Sequence, residues 1–420
     1  MRLRYLAKIN PPTPEFAALG GTDEITFVPL EDVWPPPRWR PLQKRSTIDV
    51  SSGYTRFRQG DVLVPKITPT FEAGRSVVAV DLPTPVAAGT TELHVVRPTA
   101  ADARYLNYCF QSRPFLMGGQ ARMLGVAGQK RVPEAWLLDY LIPVENAARQ
   151  REIADFLDAE TARIDALIEK KCEMIALLDA RRRGAVSAAA LRGLREHQLR
   201  PSRSAFLGDV PKSWDETQLR HLDFSVQTGP FGSQLHAAEY VEGGWPVINP
   251  ANLVDGKICS DERVSITDER RADLQLHVLR TRDIIFGRRG EMGRAALVTE
   301  GEEGWICGTG CLRLRRRGSR LDPKYLVLLL RTPALRAYFS LASVGSTMEN
   351  LNAEIVLGAP ILVPPADEQG EIVEFAARSA ETHGAAAVRL ERQVDLLRER
   401  RETLITTAVT GQLDVAKAVA

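Results

Sequence analysis

The chain has 420 residues, of which 44% are hydrophobic and 26% are charged, and its formal net charge is +2. This composition is typical of a globular protein, and the length exceeds what one core usually holds, so we expect two or more domains. No run of about 18 apolar residues occurs, which argues against a transmembrane helix and a membrane partner. The small net charge does not by itself indicate nucleic-acid binding.

The cysteines indicate a reducing compartment. The chain has five of them, and a small, odd number is typical of free thiols and not of a disulfide framework. The first residues, MRLRYLAKINPPTPEF, lack the apolar core of a signal peptide, so we expect a cytoplasmic protein. The pair in CGTGC has no second pair and no nearby histidines, so no metal site is predicted.

Two strand-rich stretches alternate with two long helices. Residues 1–145 and 208–365 hold many Pro and Gly residues between short apolar alternations such as DVLVPKI and RDIIFG, which predicts strands and turns. Residues 147–192 and 366–410 have no internal Pro and space their apolar residues by three and four, which predicts a helix of about 43 residues in each. The expected helix caps are Asn146 and Asp367 at the N-termini and Gly193 and Gly411 at the C-termini.

The same unit occurs twice along the chain. QREIADF (150–156) and QGEIVEF (369–375) lie 219 positions apart, and TTELHVVR (90–97) and EAGR (72–75) match TGCLRLRR (309–316) and EMGR (291–294) at the same shift. GDVLVPK (60–66) aligns with RDIIFGR (282–288) at a shift of 222, and RLRYL (2–6) aligns with QLRHL (218–222) at 216. These matches predict a duplicated unit of roughly 200 residues.

Neither long helix has an unbroken apolar stripe. Lys171 of the first corresponds to Leu390 of the second, and Met174 corresponds to Gln393. Since one helix is polar where the other is apolar, we predict that they pair as an antiparallel coiled coil with His383 packed at the seam. Such a pair would place the strand-rich domains at opposite ends of a rod. The alternative is that each helix packs on its own domain.

The predicted fold class is therefore α+β, a tandem duplication of a strand-rich domain plus a long helix, with the two helices paired. The predicted boundaries are 1–145 for the first strand-rich domain, 146–198 for the first helical region, 199–365 for the second strand-rich domain and 366–420 for the second helical region.

Motifs that resemble catalytic sites lack essential parts. NPP at 10–12 lacks the aromatic residue that would follow it in an amino methyltransferase, GVAGQKR at 125–131 lacks the phosphate-loop spacing, and GRRGEMGR at 287–294 has Arg where a pyrophosphate loop needs close backbone approach. We therefore predict no catalytic residue. Two alternative functions are considered for the chain. One is a methyltransferase or nuclease that acts alone, and the other is a coiled-coil scaffold that does not bind DNA.

Positive charge is concentrated in the second strand-rich domain. Between Arg263 and Arg331 there are 14 Arg and 1 Lys against 9 acidic residues, and LRLRRR (312–317) carries four of the arginines. One interpretation of this run is a solvated strand face. The other is contact with phosphates.

The whole pattern resembles the specificity (S) subunits of type I restriction-modification enzymes. FLGDVPKSW (206–214) resembles the WLGEIPxxW join into the second domain of that family, PPADEQGEI (364–372) resembles its PPxxEQxxI helix start, and LITTAVTGQLDV (404–415) resembles its C-terminus. Two features depart from the family: no Trp-containing lead-in precedes RLRYL, and PVENAARQREI (143–153) lacks the second Pro. The first domain is therefore expected to be shorter or differently closed.

The resemblance implies a function. Each strand-rich domain would be a target recognition domain that reads one half of a split sequence in double-stranded DNA, and the helices would set the distance between the halves. Two methyltransferase (M) subunits would dock on the helical regions, and motor-nuclease (R) subunits would join them. S-adenosylmethionine, ATP and Mg would be bound by these partners, and this chain would bind no cofactor and catalyse nothing.

We expect the DNA contacts in loops that follow strands. In the second domain the candidates are Gln227, Thr228, Ser233, Gln234, His236, Arg288, Arg289 and Arg294, and in the first domain they are Lys66, Thr68 and Arg75. Arg75 in the first domain matches Arg294 in the second. A residue that both domains share is more typical of turn architecture or phosphate contact than of base reading. Direct readers should lie where the domains differ, as in 228–240.

Overall fold

The computed structural model describes residues 1–36, 38–125, 128–143, 146–231, 234–318, 320–343 and 351–419. It divides into two compact units, one formed by Met1–Ile175 with Arg389–Ala420 and the other by Ala176–Val388. We call these the first and the second unit. The predicted domain boundaries, which separate the helices from the strand-rich domains, stay a prediction.

Short strands and short helices form most of both units. The strands of the first unit are β1 (Ala7–Ile9), β2 (Glu24–Val28), β3 (Lys44–Ser46), β4 (Thr55–Arg58), β5 (Val62–Pro65), β6 (Val77–Val78), β7 (Val86–Gly89) and β8 (Leu93–Pro98). Those of the second unit are β9 (Leu199–Pro201), β10 (Asp209–Pro211), β11 (Asp215–Gln218), β12 (Phe224–Thr228), β13 (Trp245–Ile248), β14 (Leu253–Val254), β15 (Lys257–Ile258), β16 (Ser265–Ile266), β17 (Ile284–Gly287), β18 (Ala295–Leu297), β19 (Ile306–Cys307), β20 (Cys311–Arg316) and β21 (Pro360–Val363). The α-helices are α1 (Ala103–Gln111), α2 (Arg113–Gln120), α3 (Glu134–Asp139), α4 (Ala147–Arg192), α5 (Asp268–Asp273), α6 (Pro323–Leu330), α7 (Pro333–Ser343), α8 (Ala353–Leu357), α9 (Ala366–Val409) and α10 (Val415–Val419).

Both units contain the same antiparallel sheet, which confirms the duplication. The strand order is β1-β8-β5-β6 in the first unit and β12-β20-β17-β18 in the second. Val62 of β5 pairs with Val96, and Ile284 of β17 pairs with Leu314. The pairing makes Val96 equivalent to Leu314, a shift of 218, so the predicted alignment of 90–97 with 309–316 is wrong by one residue.

A second sheet is also shared between the units. In the first unit its order is β3-β2-β7-β4, and in the second the order is β16-β13-β19. The pair β2 and β7 runs parallel, and so does the pair β13 and β19. In each unit a core of buried apolar side chains lies between the strands, the short helices and the ends of the long helices.

The two long helices run antiparallel. In the first unit Asp165 of α4 lies 3.0 Å from Arg401 of α9, and Lys171 donates to Gln393 at 2.7 Å, so the partner number falls as the α4 number rises. The coiled-coil pairing is thereby confirmed. The helices also pack on the strand-rich parts, because Leu157 and Ile405 belong to the core of the first unit.

The ends of the long helices follow the prediction at three positions of four. The Oδ1 atom of Asn146 accepts from the Arg149 N–H at 2.9 Å, so Asn146 caps α4. Gly193 and Gly411 have φ values of 78° and 74°, which end the helices in the left-handed conformation that glycine favours. Asp367 is wrong as an N-cap, since α9 already begins at Ala366.

Candidate nucleic-acid interface

Those candidate residues of the second unit that the structure describes lie on strand ends and loops at one end of its antiparallel sheet. Strands β12 and β17 flank β20 and both run opposite to it, so their C-terminal ends lie where β20 begins. There the Gly229 N–H donates to the Cys311 carbonyl at 2.9 Å, and the Arg288 N–H donates to the Gly310 carbonyl at 2.8 Å. The loops after Thr228 and Gly287 therefore leave the sheet side by side, about 10 Å apart, which is two interstrand spacings.

Glycine lets the backbones at this sheet end pack closely. A Cβ atom on Gly229 would overlap the Gly308 carbonyl oxygen, and one on Gly308 would lie 2.7 Å from the Ile248 carbonyl oxygen. A Cβ on Gly310 would lie 2.7 Å from the Pro250 ring. Larger residues would push these segments apart, so the glycines fix where the two loops begin.

The polar candidates after β12 take different positions. Gln227 and Thr228 end β12 and are half-buried, and Gln227 donates to the Thr228 carbonyl at 3.2 Å. Gln234 is exposed, and its Oε1 accepts from the Phe231 N–H at 2.9 Å, so its side chain shapes the loop. His236 is exposed, and its N–H donates to Glu239 at 2.6 Å. Ser233 lies outside the described residues.

The two arginines after β17 differ in their surroundings. The Nε of Arg288 donates to the Leu351 carbonyl at 2.9 Å, and the side chain is half-buried. Burial and the charge of Arg289 lower the pKa of the Arg288 guanidinium. Arg289 is exposed. Arg288 is therefore partly structural, and Arg289 is the more accessible of the pair.

Lys66 and Thr68 of the first unit occupy the equivalent sheet end. The Lys66 N–H donates to the Glu92 carbonyl at 2.9 Å beside the start of β8, and Lys66 corresponds to Arg288 by strand pairing. The Thr68 hydroxyl donates to the Gly128 carbonyl at 3.3 Å, so it is engaged within the fold.

The recurring arginines Arg75 and Arg294 make the same contact. Arg75 donates to the Leu30 carbonyl at 2.9 Å, and Arg294 donates to the Pro250 carbonyl at 3.2 Å. Leu30 and Pro250 each lie two residues after equivalent parallel strands, β2 and β13. Both arginines thus hold the turn that follows such a strand, while a DNA contact for either one stays a prediction.

Neither interpretation of the arginine run fits Arg313 and Arg315. Arg313 is 9% exposed, and its Nη1 donates to the Leu276 carbonyl at 2.8 Å. Burial lowers the pKa of the Arg313 guanidinium. Arg315 forms an ion pair of 2.6 Å with Asp283, which is 3% exposed. These two arginines stabilise the interior, so the predicted solvated face and the predicted phosphate contact are both wrong for them.

A basic loop of the first unit escaped the sequence-based selection. It comprises residues 33–45, and Arg38 and Arg40 within it are exposed. The signal was present as WPPPRWRPLQKR, where aromatic residues alternate with cations and acidic residues are lacking. The loop does not directly follow a strand that the internal repeat aligns, and the sequence-based candidates come only from loops that do.

Part of the chain is similar to proteins of known function. Residues 223–378 match the family described as Type I restriction modification DNA specificity domain. The EcoAI type I restriction enzyme specificity subunit of Escherichia coli is 33% identical over 162 residues, which cover 36% of this chain and 26% of that protein. The Escherichia coli EcoBI specificity subunit is 24% identical over 301 residues, 68% of this chain and 60% of that protein. The chain thus spans about a quarter of the first relative and less than two thirds of the second.

A solved structure shares the fold over almost the whole chain. It is reported as the structural basis of complex assembly and conformational transition of the type I R-M system, and it has a TM-score of 0.71 at 16% identity, covering 98% of this chain and 97% of its own. Within the described residues, no helix has both the length and the apolar composition needed to cross a bilayer. Residues 223–378 thus resemble a type I restriction modification DNA specificity domain, and the chain as a whole shares the fold of the solved structure.

Proposed function

We propose that this chain is the cytoplasmic DNA-binding subunit that selects the target of a type I restriction-modification enzyme. Each unit reads one half of a bipartite sequence in double-stranded DNA. The chain directs two methyltransferase subunits and the motor-nuclease subunits to that sequence. It catalyses nothing itself, and S-adenosylmethionine, ATP and Mg belong to its partners.

The observation that carries this proposal is one sheet used twice with different loops at the same end. The loop after β12 reads GPFGSQLH, and the segment after β1 reads NPPTPEF. A common scaffold with unlike loops suits the reading of two unlike half-sites, since base edges must be matched by different side chains while phosphates are contacted in the same way.

The surroundings of Asn10 support a non-catalytic role. Asn10 begins the NPP motif, and its Nδ2 donates to Glu134 at 2.7 Å while its Oδ1 accepts from the Val95 N–H at 2.9 Å. Both polar atoms of the amide are therefore engaged within the fold. An amide that gripped the amino group of a base would need them available.

Apolar side chains on the paired helices support partner docking. In the first unit Leu167 and Met174 of α4 are 48% and 50% exposed, and Leu396 of α9 is 53% exposed. Exposed large apolar side chains on paired helices are typical of a surface that another protein covers. We assign this surface to a methyltransferase subunit.

Methylation assays on the purified chain, with and without its methyltransferase partner, test the function. The chain alone should transfer no methyl group, and the complex should methylate one bipartite sequence. Robust methyl transfer by the isolated chain, or methylation by the complex without sequence preference, would contradict the proposal.

A further inference from the structure

The basic loop of the first unit carries two arginines without an acidic partner among the residues that the structure describes. Residues 33–45 include four cations and no Asp or Glu, and of these cations Lys44 lies 3.5 Å from Glu24 of β2. Other arginines of this unit have acidic partners, such as Arg97 with Asp61 and Arg131 with Glu92, both at 2.8 Å. Among the described residues, neither Arg38 nor Arg40 has an ion-pair partner, and both side chains are exposed.

Arg75 holds the start of this loop from inside. Its guanidinium donates to the carbonyls of Leu30, Glu31 and Val33 at 2.9, 3.0 and 2.9 Å. It also lies 3.9 Å from the centroid of the Trp34 ring, and Arg38 lies 4.8 Å from the same centroid. Burial, and next the charge of Arg38, lower the pKa of Arg75. Two cations therefore share one indole ring, an arrangement that an incoming anion would stabilise.

Trp39 anchors the middle of the loop. Its ring is 8% exposed, and its Nε1 donates to the Val80 carbonyl at 2.8 Å. Arg38 and Arg40 lie on either side of it in an exposed–buried–exposed alternation. The neighbouring prolines reduce the entropy lost when the loop is ordered. The two arginines are thus presented outward from a fixed backbone.

The loop begins at the sheet end that carries the candidate site. The Thr90 N–H donates to the Val28 carbonyl at 3.2 Å, just before the loop, and the Lys66 N–H donates to the Glu92 carbonyl at 2.9 Å. The turn that leads into β8 is therefore flanked by Lys66 on one side and by the start of the basic loop on the other.

The corresponding part of the second unit is built differently. There the turn that Arg294 holds is followed by the hairpin of β14 and β15, whose Asp255 binds Arg182 at 2.6 Å and also binds Arg331. That hairpin is bound to its own unit by an acidic residue, whereas the basic loop presents cations outward. The difference is what we expect of a feature that serves one half-site only.

From this geometry we propose that Arg38 and Arg40 contact the phosphate backbone of DNA at the first half-site, with Arg75 as a positioning residue that holds their loop. The inference rests on the proposed function, and it assigns a surface that the sequence comparison of the two units leaves out.

Binding of the full chain, in complex with its methyltransferase partner, to a cognate duplex at several salt concentrations tests the proposal. Arg38→Ala and Arg40→Ala should each lower the slope of log K against log salt by about 0.9, and the double variant by about 1.8, because each lost phosphate contact releases fewer counterions. Discrimination between the cognate duplex and one with an altered first half-site should stay unchanged. Arg38→Gln and Arg40→Gln serve as further variants if an alanine variant fails to fold.

Arg2→Ala and Arg4→Ala are matched controls. Both arginines precede β1, at the opposite end of the sheet, and both form an ion pair with Asp139. Their removal changes the net charge by the same amount. It should leave the salt slope unchanged. An unchanged slope in the Arg38 and Arg40 variants would overturn the inference while the proposed function stands. If the variants lost discrimination between the two duplexes while the salt slope stayed unchanged, Arg38 and Arg40 would contact bases. If the variants no longer co-purified with the methyltransferase partner, the two arginines would bind an acidic protein surface. Either result contradicts the proposal. A wild-type complex without sequence-dependent binding would refute the proposed function itself.

Arg75→Ala separates positioning from general stability. It should lower the salt slope in the wild-type background, because the loop is no longer held. In the Arg38→Ala/Arg40→Ala background it should lower thermal stability but cause no further fall in the slope. A further fall in that background would mean that Arg75 contacts DNA itself or acts through other residues, and it would overturn its assignment as a positioning residue.

Discussion

Two tyrosine hydroxyls at equivalent positions hold the strand-rich parts to the ends of the long helices. Tyr325 donates to the Ala190 carbonyl of α4 at 2.9 Å, and the Tyr105 hydroxyl is shared between the Val409 carbonyl of α9 at 3.4 Å and the Pro143 carbonyl at 3.2 Å. Carbonyls in the last turn of a helix have no partner within the helix, so these hydroxyls satisfy groups that would otherwise be buried without a hydrogen bond. Burial raises the pKa of Tyr325, which keeps its hydroxyl protonated as a donor.

Tyr325→Phe should destabilise the protein by about 1–2 kcal/mol, since it leaves the Ala190 carbonyl unsatisfied. Denaturant unfolding monitored by circular dichroism measures the change. Tyr338→Phe is the matched control, because the Tyr338 hydroxyl donates to the Ile355 carbonyl at 3.2 Å from a half-buried position. Equal stability losses in the two variants would argue against a special role for the helix-end contact.

Arg289→Ala should weaken DNA binding and lower the salt slope by about 0.9 if Arg289 meets a phosphate. Arg288→Ala should do the same and should also lower the melting temperature, because the bond from Nε to the Leu351 carbonyl is lost. If either arginine reads guanine, specificity at one base pair should instead relax by about 1–3 kcal/mol. Salt-dependent binding with a panel of single-base variants distinguishes these results. Wild-type behaviour of the double variant would place the interface elsewhere.

At the residue scale, the sequence shows which side chains are charged but not which of them form ion pairs or hydrogen bonds within the fold. In the sequence Arg313 and Arg315 resemble a charged strand face, yet Arg315 forms an ion pair with Asp283, the residue before the neighbouring strand β17. The sequence contains an indication of this ion pair. The aligned segments GDVLVPK and RDIIFGR have an aspartate at the same position, Asp61 and Asp283. Asp61 pairs with Arg97 of β8, and Asp283 pairs with Arg315 of β20. An acidic residue that recurs in both units indicates a structural role, because the two units share their fold.

At the scale of elements, the repeated phrase QREI/QGEI has a structural explanation. Gln150 accepts from the Asp102 N–H at 2.8 Å, and Gln369 accepts from the Asp322 N–H at 2.7 Å. Asp102 and Asp322 are the N-caps of α1 and α6. Each long helix thus begins by binding the start of a short helix in its unit, and the duplication keeps the glutamine.

The long helices were predictable from the sequence, while the strand registers were less so. A long run with apolar spacing of three and four and without Pro specifies a helix, and α4 and α9 follow that pattern. Segments such as LHVVR and LRLRR can be aligned with each other in two ways that differ by one residue. Such a shift turns every side chain to the other face of the sheet. Only the pairing of β8 with β5 and of β20 with β17 fixed the alignment.

Removing one heptad from each long helix, Ile164–Lys170 and His383–Arg389, should shorten the spacer of the DNA target by one to three base pairs. Seven residues are roughly 10 Å of helix, which is close to three base pairs at about 3.4 Å each. The apolar register of each helix is kept. The methylated motif, sequenced from cells that also carry the partner, gives the spacer.

Deletion of Ile164–Lys170 alone is the control for this prediction. It shortens α4 but not α9, so the two paired helices no longer match in length and stability should fall. A stable, active double deletion with an unchanged spacer would show that the helices do not set the distance.

At the scale of the whole molecule, the duplication predicted the fold class. The sequence identified an α+β unit used twice, and the shared sheet orders confirm it. The candidate interface was only partly predictable, because exposure and hydrogen bonding depend on residues far apart in the chain, as with Arg75 and the Leu30 carbonyl. The DNA contacts themselves stay predictions.

Exchange of residues 1–145 for the first domain of a type I specificity subunit tests the central claim most directly. The measurement is the methylated sequence motif in cells that carry the chimaera and the methyltransferase partner. If each unit reads its own half-site, one half of the motif should change, while the other half and the spacer stay as they were. A chimaera that methylates a motif changed in both halves, or in neither, would contradict independent reading by two units.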